Sequence, residues 1–129
     1  MTTVLVADDN PDIRDWVRSI LESEGYLVLE AQNGSEVLHL LNTTSYPLVV
    51  LLDFQMPQHG GAWVLGAVAA NFTLATRNRY ILIIARTLSL PRFFTTLLIR
   101  LHVPVLRKPF DVDLLVALVA TVAHTLPAQ

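Results

Sequence analysis

The stretch Leu48-Val49-Val50-Leu51-Leu52-Asp53-Phe54-Gln55-Met56-Pro57 most narrows what this chain can fold into. Apolar, mostly branched residues run unbroken from Leu48 to Leu52, and a carboxylate stands where the run stops. A run without polar alternation fits a strand buried on both faces, the habit of a central parallel strand. In open α/β sheets the ligand site lies at the carboxyl ends of such strands. Asp53 is thus expected at the mouth of a site, carried by a rigid element. Pro57 and the Gly60-Gly61 pair turn the chain away from the sheet. An isolated aspartate there serves equally well as a helix cap or turn residue, so the reading rests on a second acidic cluster earlier in the chain.

That cluster ends the first apolar run. Thr3 to Ala7 reads as a strand closing on Asp8-Asp9-Asn10, and Pro11 and Asp12 open a helix, with the acid suiting its dipole. Ile13, Trp16, Val17, Ile20 and Leu21 recur at helical spacing, Arg14, Asp15, Arg18 and Glu22 lie on the other face, and Gly25 ends the helix. Tyr26 to Glu30 is the next strand. Asn33-Gly34 is a turn, Ser35 caps a helix through Asn42, and Pro47 leads into the strand that ends at Asp53. A helix on Trp63, Val64, Leu65, Val68 and Ala69 runs to about Phe72, followed by a polar loop with Arg77, Asn78 and Arg79. Tyr80 to Ala85 is a further apolar strand, and Pro91 starts a helix through Arg100. Val103 to Leu106 is the last strand, Arg107-Lys108-Pro109-Phe110 stands at its end, and Asp111 caps a helix to about Thr125. Strand and helix alternating with short connections predict a parallel sheet covered on both faces.

Composition limits the function classes. At 129 residues the chain makes one domain, able to bury roughly two-thirds of its unfolded surface. It is 53% hydrophobic and only 16% charged, an excess that predicts exposed apolar surface able to meet a partner. A net charge of −2 with no basic tract argues against direct nucleic-acid binding. Without cysteine there is neither a disulfide framework nor a thiolate metal site. The N-terminus lacks a basic region and meets acids at Asp8, unlike a signal peptide. The apolar segment from Leu114 to Ala123 is too short to span a bilayer, and the expectation is a soluble cytoplasmic protein.

Three strand ends then share one sheet edge, supplying Asp8 and Asp9, Asp53, and Lys108. Each pair of carboxylates at about 5 Å, with an effective dielectric near 20, costs roughly 3 kcal/mol. A divalent cation removes that cost, and hard oxygen ligands without cysteine point to Mg2+ rather than zinc. A lysine opposite the acids is a compact positive charge suited to a transferred phosphoryl group. Aspartate can act as the nucleophile, so the residues predict a magnesium-dependent phosphoryl-accepting aspartate.

Val4-Leu5-Val6-Ala7-Asp8-Asp9-Asn10, Leu51-Leu52-Asp53-Phe54-Gln55-Met56-Pro57 and Lys108-Pro109-Phe110 resemble the three signatures of receiver domains of bacterial two-component response regulators. The likeness covers essentially the whole chain, residues 1–129, with receiver-like order and spacing. It implies a doubly wound (βα)5 flavodoxin-like three-layer sandwich whose parallel five-stranded sheet has the order 2-1-3-4-5. It implies that Asp53 takes phosphate from a histidine kinase or phosphotransferase. Asp8, Asp9, Asp53 and the Phe54 main-chain carbonyl would hold Mg2+, and Lys108 would bind the phosphoryl oxygens. It further implies a signalling module rather than an enzyme, and a cis Lys108–Pro109 bond.

Departures from the family pattern fall on its readout. The hydroxyl usual at the end of the fourth strand aligns with Ile84, with Thr87 three residues late, and the usual fifth-strand aromatic aligns with Val105. The helix from Asp111 is apolar around most of its circumference, and the one before it repeats the excess with Phe93, Phe94, Leu97, Leu98 and Ile99. The expectation is a homodimer or protein partner on the face from Pro91 to Thr125, formed without phosphate. An alternative reading is a receiver-fold dimerisation or interaction module that works without the standard phosphorylation switch. A phosphohydrolase of the haloacid dehalogenase type needs an acid two residues after its nucleophile, where this chain has Gln55. His39, His59, His102 and His124 show no ligand spacing, Trp16 and Trp63 read as packing residues, and Arg77 and Arg79 as a solvated loop. Gln55 and Arg86 border the site. The chain is either a complete single-domain receiver or a piece of a longer regulator.

Overall fold

A computed structural model describes residues 1–128. Among the described residues the strands are β1 (Thr3–Ala7), β2 (Leu27–Ala31), β3 (Leu48–Asp53), β4 (Arg79–Ala85) and β5 (Val105–Lys108). The helices are α1 (Pro11–Ser23), α2 (Gly34–Thr43), α3 (Gly61–Ala69), α4 (Phe72–Arg77), α5 (Arg92–Arg100) and α6 (Val112–Ala123). The strands form one parallel sheet in the order β2-β1-β3-β4-β5, the doubly wound topology expected.

The pleat sorts each strand onto two faces. Leu48, Val50 and Leu52 of β3, with Leu82 and Ile84 of β4, pack against Val37, Leu41, Val64, Leu65, Val68, Phe94 and Leu98 from α2, α3 and α5. Val49 and Leu51, with Ile81, Ile83 and Leu106, pack against Val17 and Leu21 of α1 and Leu115, Val119 and Val122 of α6. Every residue of β3 is buried, which is why its sequence shows no alternation.

The structure departs from the sequence reading at several places. Asn33, not Ser35, caps α2: its Oδ1 accepts from the Glu36 amide at 2.9 Å, while Gln32 donates to Glu36 from both its main chain and its side chain. The segment after α3 is a short helix rather than a loop. Asn71 stops α3 and caps α4 through the Leu74 amide at 3.1 Å, with Leu74 buried beneath. β5 begins at Val105, two residues late, because Pro104 has no N–H for the ladder and contributes only its carbonyl, to the Leu82 amide at 3.0 Å. The arginines of the supposed loop are structural. Arg77 donates to the Leu41 carbonyl at 3.0 Å, and Arg79 ties the start of β4 to the end of α6 through the Thr125 hydroxyl (3.1 Å) and carbonyl (2.8 Å).

The apolar excess of α5 and α6 divides between core and surface. Phe94, Leu98, Leu115 and Val119 are buried, whereas Phe93 is 77% exposed, Ile99 71% and Leu114 51%. Trp16 and Trp63 are only half-buried; Trp16 lies 6.1 Å from Phe110 and Trp63 stacks on His59 at 3.9 Å between ring centroids. Among the described residues, no helix is long and apolar enough to cross a membrane.

Candidate functional site

β1 and β3 are neighbours in the sheet, and both run out at the same edge on an aspartate side. Asp53 is the last residue of β3 and Asp8 follows β1; both are buried, while Asp9 is exposed. Carboxylate oxygens of the three lie within 4.8 Å of one another. Lys108, the last residue of β5, reaches across β4 to put Nζ 3.3 Å from Asp53 Oδ2 and 3.7 Å from Asp8 Oδ2. The Gln55 amide donates to Asp53 Oδ1 at 3.3 Å, and the Asn10 amide to Asp8 Oδ1 at 2.9 Å. The result is a cleft of about 410 Å3 lined by Asp8, Asp9, Asn10, Ile13, Asp53, Gln55, Ala85 and Lys108.

Burial pushes the Asp53 carboxyl up to about 6, and the charge of Asp8 adds to that rise; Lys108 and the Gln55 amide oppose it. An acid raised by burial and by a like charge, with further hard oxygens facing it, is a donor set that fits Mg2+ without any rearrangement of residue types. A bound dication would supply the positive charge that lets all three carboxylates stay ionised together.

Not every expected residue comes to the cleft. The Phe54 carbonyl accepts from the Gly61 amide at 3.0 Å, and a Cβ on Gly60 would sit 2.5 Å from it. It therefore faces the start of α3, and the chain presents Gln55 to the cleft instead, which corrects the assignment of Phe54 to the metal side. Ile84 is likewise absent. It is fully buried on the α2–α5 side of the sheet, because the pleat sends alternate residues of β4 to opposite faces. Ala85 shares the Asp53 face, pairs with Lys108 in register and lines the cleft. The residue facing the site at the end of β4 still has no hydroxyl, but it is Ala85 rather than Ile84. Thr87 is exposed beyond it. Val105 pairs with Leu82 and is partly exposed, with no aromatic in its place. The Lys108–Pro109 bond is cis.

Two arginines escaped the sequence reading. Arg107 Nη1 donates to the Arg86 and Leu88 carbonyls at 3.2 and 3.0 Å, holding the loop that follows Ala85. Arg14 Nη1 donates to the Asp8 carbonyl at 2.7 Å, and its Nε to Glu30 Oε1 at 3.1 Å. The signal for Arg14 was its place four residues after the Asn10 cap, one helical turn from the acids. His59 does not line the cleft. Its φ of 74° is left-handed, and its carbonyl accepts from Gly34 at 2.7 Å, so tightly that a Cβ on Gly34 would lie 2.2 Å from it.

An open parallel α/β sheet with an acid cluster and a lysine at the carboxyl edge defines a class of phosphoryl- and cation-handling domains. The model of the response regulator receiver domain matches residues 4–120, and the chain belongs to that family. Membership implies a phosphoryl-accepting signalling module of two-component systems, and receiver domains are generally signalling modules rather than enzymes. A CheY-like receiver domain protein from Methanospirillum hungatei superposes with a TM-score of 0.80 at 25% identity, over 96% of each chain. Response regulator protein TrrA from Thermotoga maritima, in complex with Mg(2+)-BeF, superposes with a TM-score of 0.75 at 28% identity, over 95% of this chain and 99% of that one. Response regulator RR06 of Streptococcus pneumoniae is 42% identical over 62 residues, covering 48% of this chain and 28% of the relative. The matches to the first curated relatives span from 8% to 49% of their length.

Proposed function

We propose that Asp53 is the phosphoacceptor of this domain, with phosphate delivered by a histidine kinase or phosphotransferase. The observation that carries the reading is the convergence of the Asp8, Asp9 and Asp53 carboxylates within 4.8 Å, with Lys108 Nζ 3.3 Å from Asp53. Asp8, Asp9 and Asp53 would hold Mg2+, which when bound supplies charge neutralisation for the incoming phosphoryl oxygens; TrrA with Mg(2+)-BeF supports that choice of ion. Asp53 must be ionised to attack: a carboxylate oxygen forms the new bond to phosphorus as the bond from phosphorus to the donor histidine breaks, and the imidazole nitrogen keeps that electron pair. Lys108 leaves its contact with Asp53 for the oxygens of the transferred group, holding them as a point charge. Burial and the charge of Asp8 hold the Asp53 carboxyl up to about 6 without a cation, and a bound cation would favour its ionised, attacking form.

We also infer a partner surface on α5, β5 and α6, within the segment from Pro91 to Thr125. Exposed Phe93, Ile99, Val105, Val112 and Leu114 support a homodimer or another protein partner there. The reading takes the chain as one receiver domain over residues 1–129, working in the cytoplasm without direct nucleic-acid contact. The test is incubation with Mg2+ and a small acyl phosphate followed by intact mass. One phosphate on Asp53, with no uptake when Mg2+ is chelated beforehand, is expected; phosphate on another residue or uptake indifferent to chelation overturns the assignment.

A further inference from the structure

Arg14 stands where electrostatics alone would not put it. It lies at the end of the first turn of α1, where a cation opposes the helix dipole, and beside a cluster that gathers positive charge. Its guanidinium is nevertheless fixed at both ends. Nη1 donates to the Asp8 carbonyl at 2.7 Å and Nε to Glu30 Oε1 at 3.1 Å, and the side chain is only 16% exposed. Glu30 is itself held by Arg18, which pairs with Glu22 at 3.3 Å. Asp8 is gripped from the other side as well, its amide donating to the Ala31 carbonyl at 3.1 Å, one residue after Glu30. The Asp8 carbonyl and the Asp9 amide belong to one rigid peptide plane. A charge-assisted bond to that carbonyl therefore sets the orientation from which Asp9, the exposed acid, leaves the main chain.

We propose that Arg14 is a positioning residue for the acidic site, fixing through the Asp8 carbonyl the turn that presents Asp8 and Asp9 to a divalent cation. The inference rests on the reading of the cluster as a Mg2+ site. It makes a prediction opposite in sign to simple electrostatics: removing a positive charge near a cation site should tighten binding, whereas removing a positioning bond should weaken it.

The experiment is calorimetric titration of the unphosphorylated protein with Mg2+, alongside thermal melts, for wild type, Arg14→Gln, Arg14→Lys and Arg18→Gln. Arg14→Gln is expected to bind Mg2+ about tenfold more weakly, the loss usual for partners that orient ligands. Arg18→Gln removes the same charge and one hold on Glu30 but leaves the bond from Arg14 to the Asp8 carbonyl, so its affinity is expected to stay within about twofold of wild type. Arg14→Lys keeps the charge and loses the fork that spans Asp8 and Glu30, so its affinity should fall between. If Arg14→Gln fails to fold, Arg14→Lys decides: affinity equal to wild type overturns the proposal. So does a folded Arg14→Gln that binds as tightly as wild type, or an Arg18→Gln weakened equally. A wild-type protein that takes up no Mg2+ overturns the reading of the site itself, and Arg14 falls with it. Binding by wild type with an indifferent Arg14→Gln overturns only the role of Arg14.

Discussion

The ends of β1 and β3 and the ends of β4 and β5 lie along one edge of the same sheet, yet they are built from different material. On one side stand Asp8, Asp9 and Asp53 at two strand ends, with Asp8 and Asp53 tied in by main-chain amides and Asp8 also by Arg14. On the other, only Lys108 carries charge into the cleft, and the neighbouring positions are Ala85 and Val105, which offer neither a hydroxyl nor an aromatic ring. Taking up a phosphoryl group and reporting it are therefore separable demands. The first needs charges in fixed places. The second needs side chains that touch the phosphoryl group and move, and here the fourth and fifth strands supply aliphatic ones.

The largest test of that contrast is Asp53→Asn, which should abolish uptake of phosphate from an acyl phosphate, as read by intact mass. Lys108→Ala should leave a folded protein whose uptake rate falls by about 10²–10³, the loss expected when one charged group aimed at developing charge is removed. If instead Lys108→Ala is nearly silent, the contrast between the two sides deepens and the chemistry rests on the acids alone.

A pair of substitutions on β4 separates packing from readout. Ile84→Thr places a hydroxyl in the core beside Leu52 and Phe94 and should cost about 2–4 kcal/mol in denaturant melts, without prolonging the phosphorylated state. Ala85→Ser puts a hydroxyl into the cleft itself. It should lengthen the lifetime of the aspartyl phosphate and enlarge the amide shift changes in β5 and α6 on phosphorylation, which in the wild type should be small. Large, concerted changes in the wild type would mean that another group, Thr87 or Arg107, carries the readout.

The smallest expected effect is on stability. Burial raises the Asp53 carboxyl to about 6 from an ordinary value near 4, so the folded state holds its proton more tightly than the unfolded chain does. The stabilisation this brings is complete at low pH and disappears as pH rises through about 6. Asp53→Asn should therefore be more stable than wild type at pH 7 without Mg2+, by about 1–2 kcal/mol after solvent screening, and the difference should vanish below about pH 4. Saturating Mg2+ should close the same gap from the other direction. A melt difference that ignores pH would place the cost of Asp53 outside its charge.

Much of this molecule was legible in its residue order. Unbroken apolar runs marked β3 and β4, Asp111 and Pro11 marked helix starts, and acids at two strand ends with a lysine at a third placed the site, since period and strand-end chemistry are local properties of the chain. What the sequence could not decide depended on a pleat, a plane or a distant partner. Ile84 and Ala85 are neighbours in the chain, and only the pleat set by pairing with β3 and β5 sends one into the core and the other to the cleft. Whether the Phe54 carbonyl faced the acids turned on its bond to Gly61, across a loop held in turn by Gly34. Arg77 and Arg79 read as solvated charges, and nothing marked Arg14 or Arg107, because the carbonyls and hydroxyl these arginines bind become neighbours only on folding. Residue type thus determined the chemistry available at the edge of the sheet, and the tertiary structure decided which atoms face it.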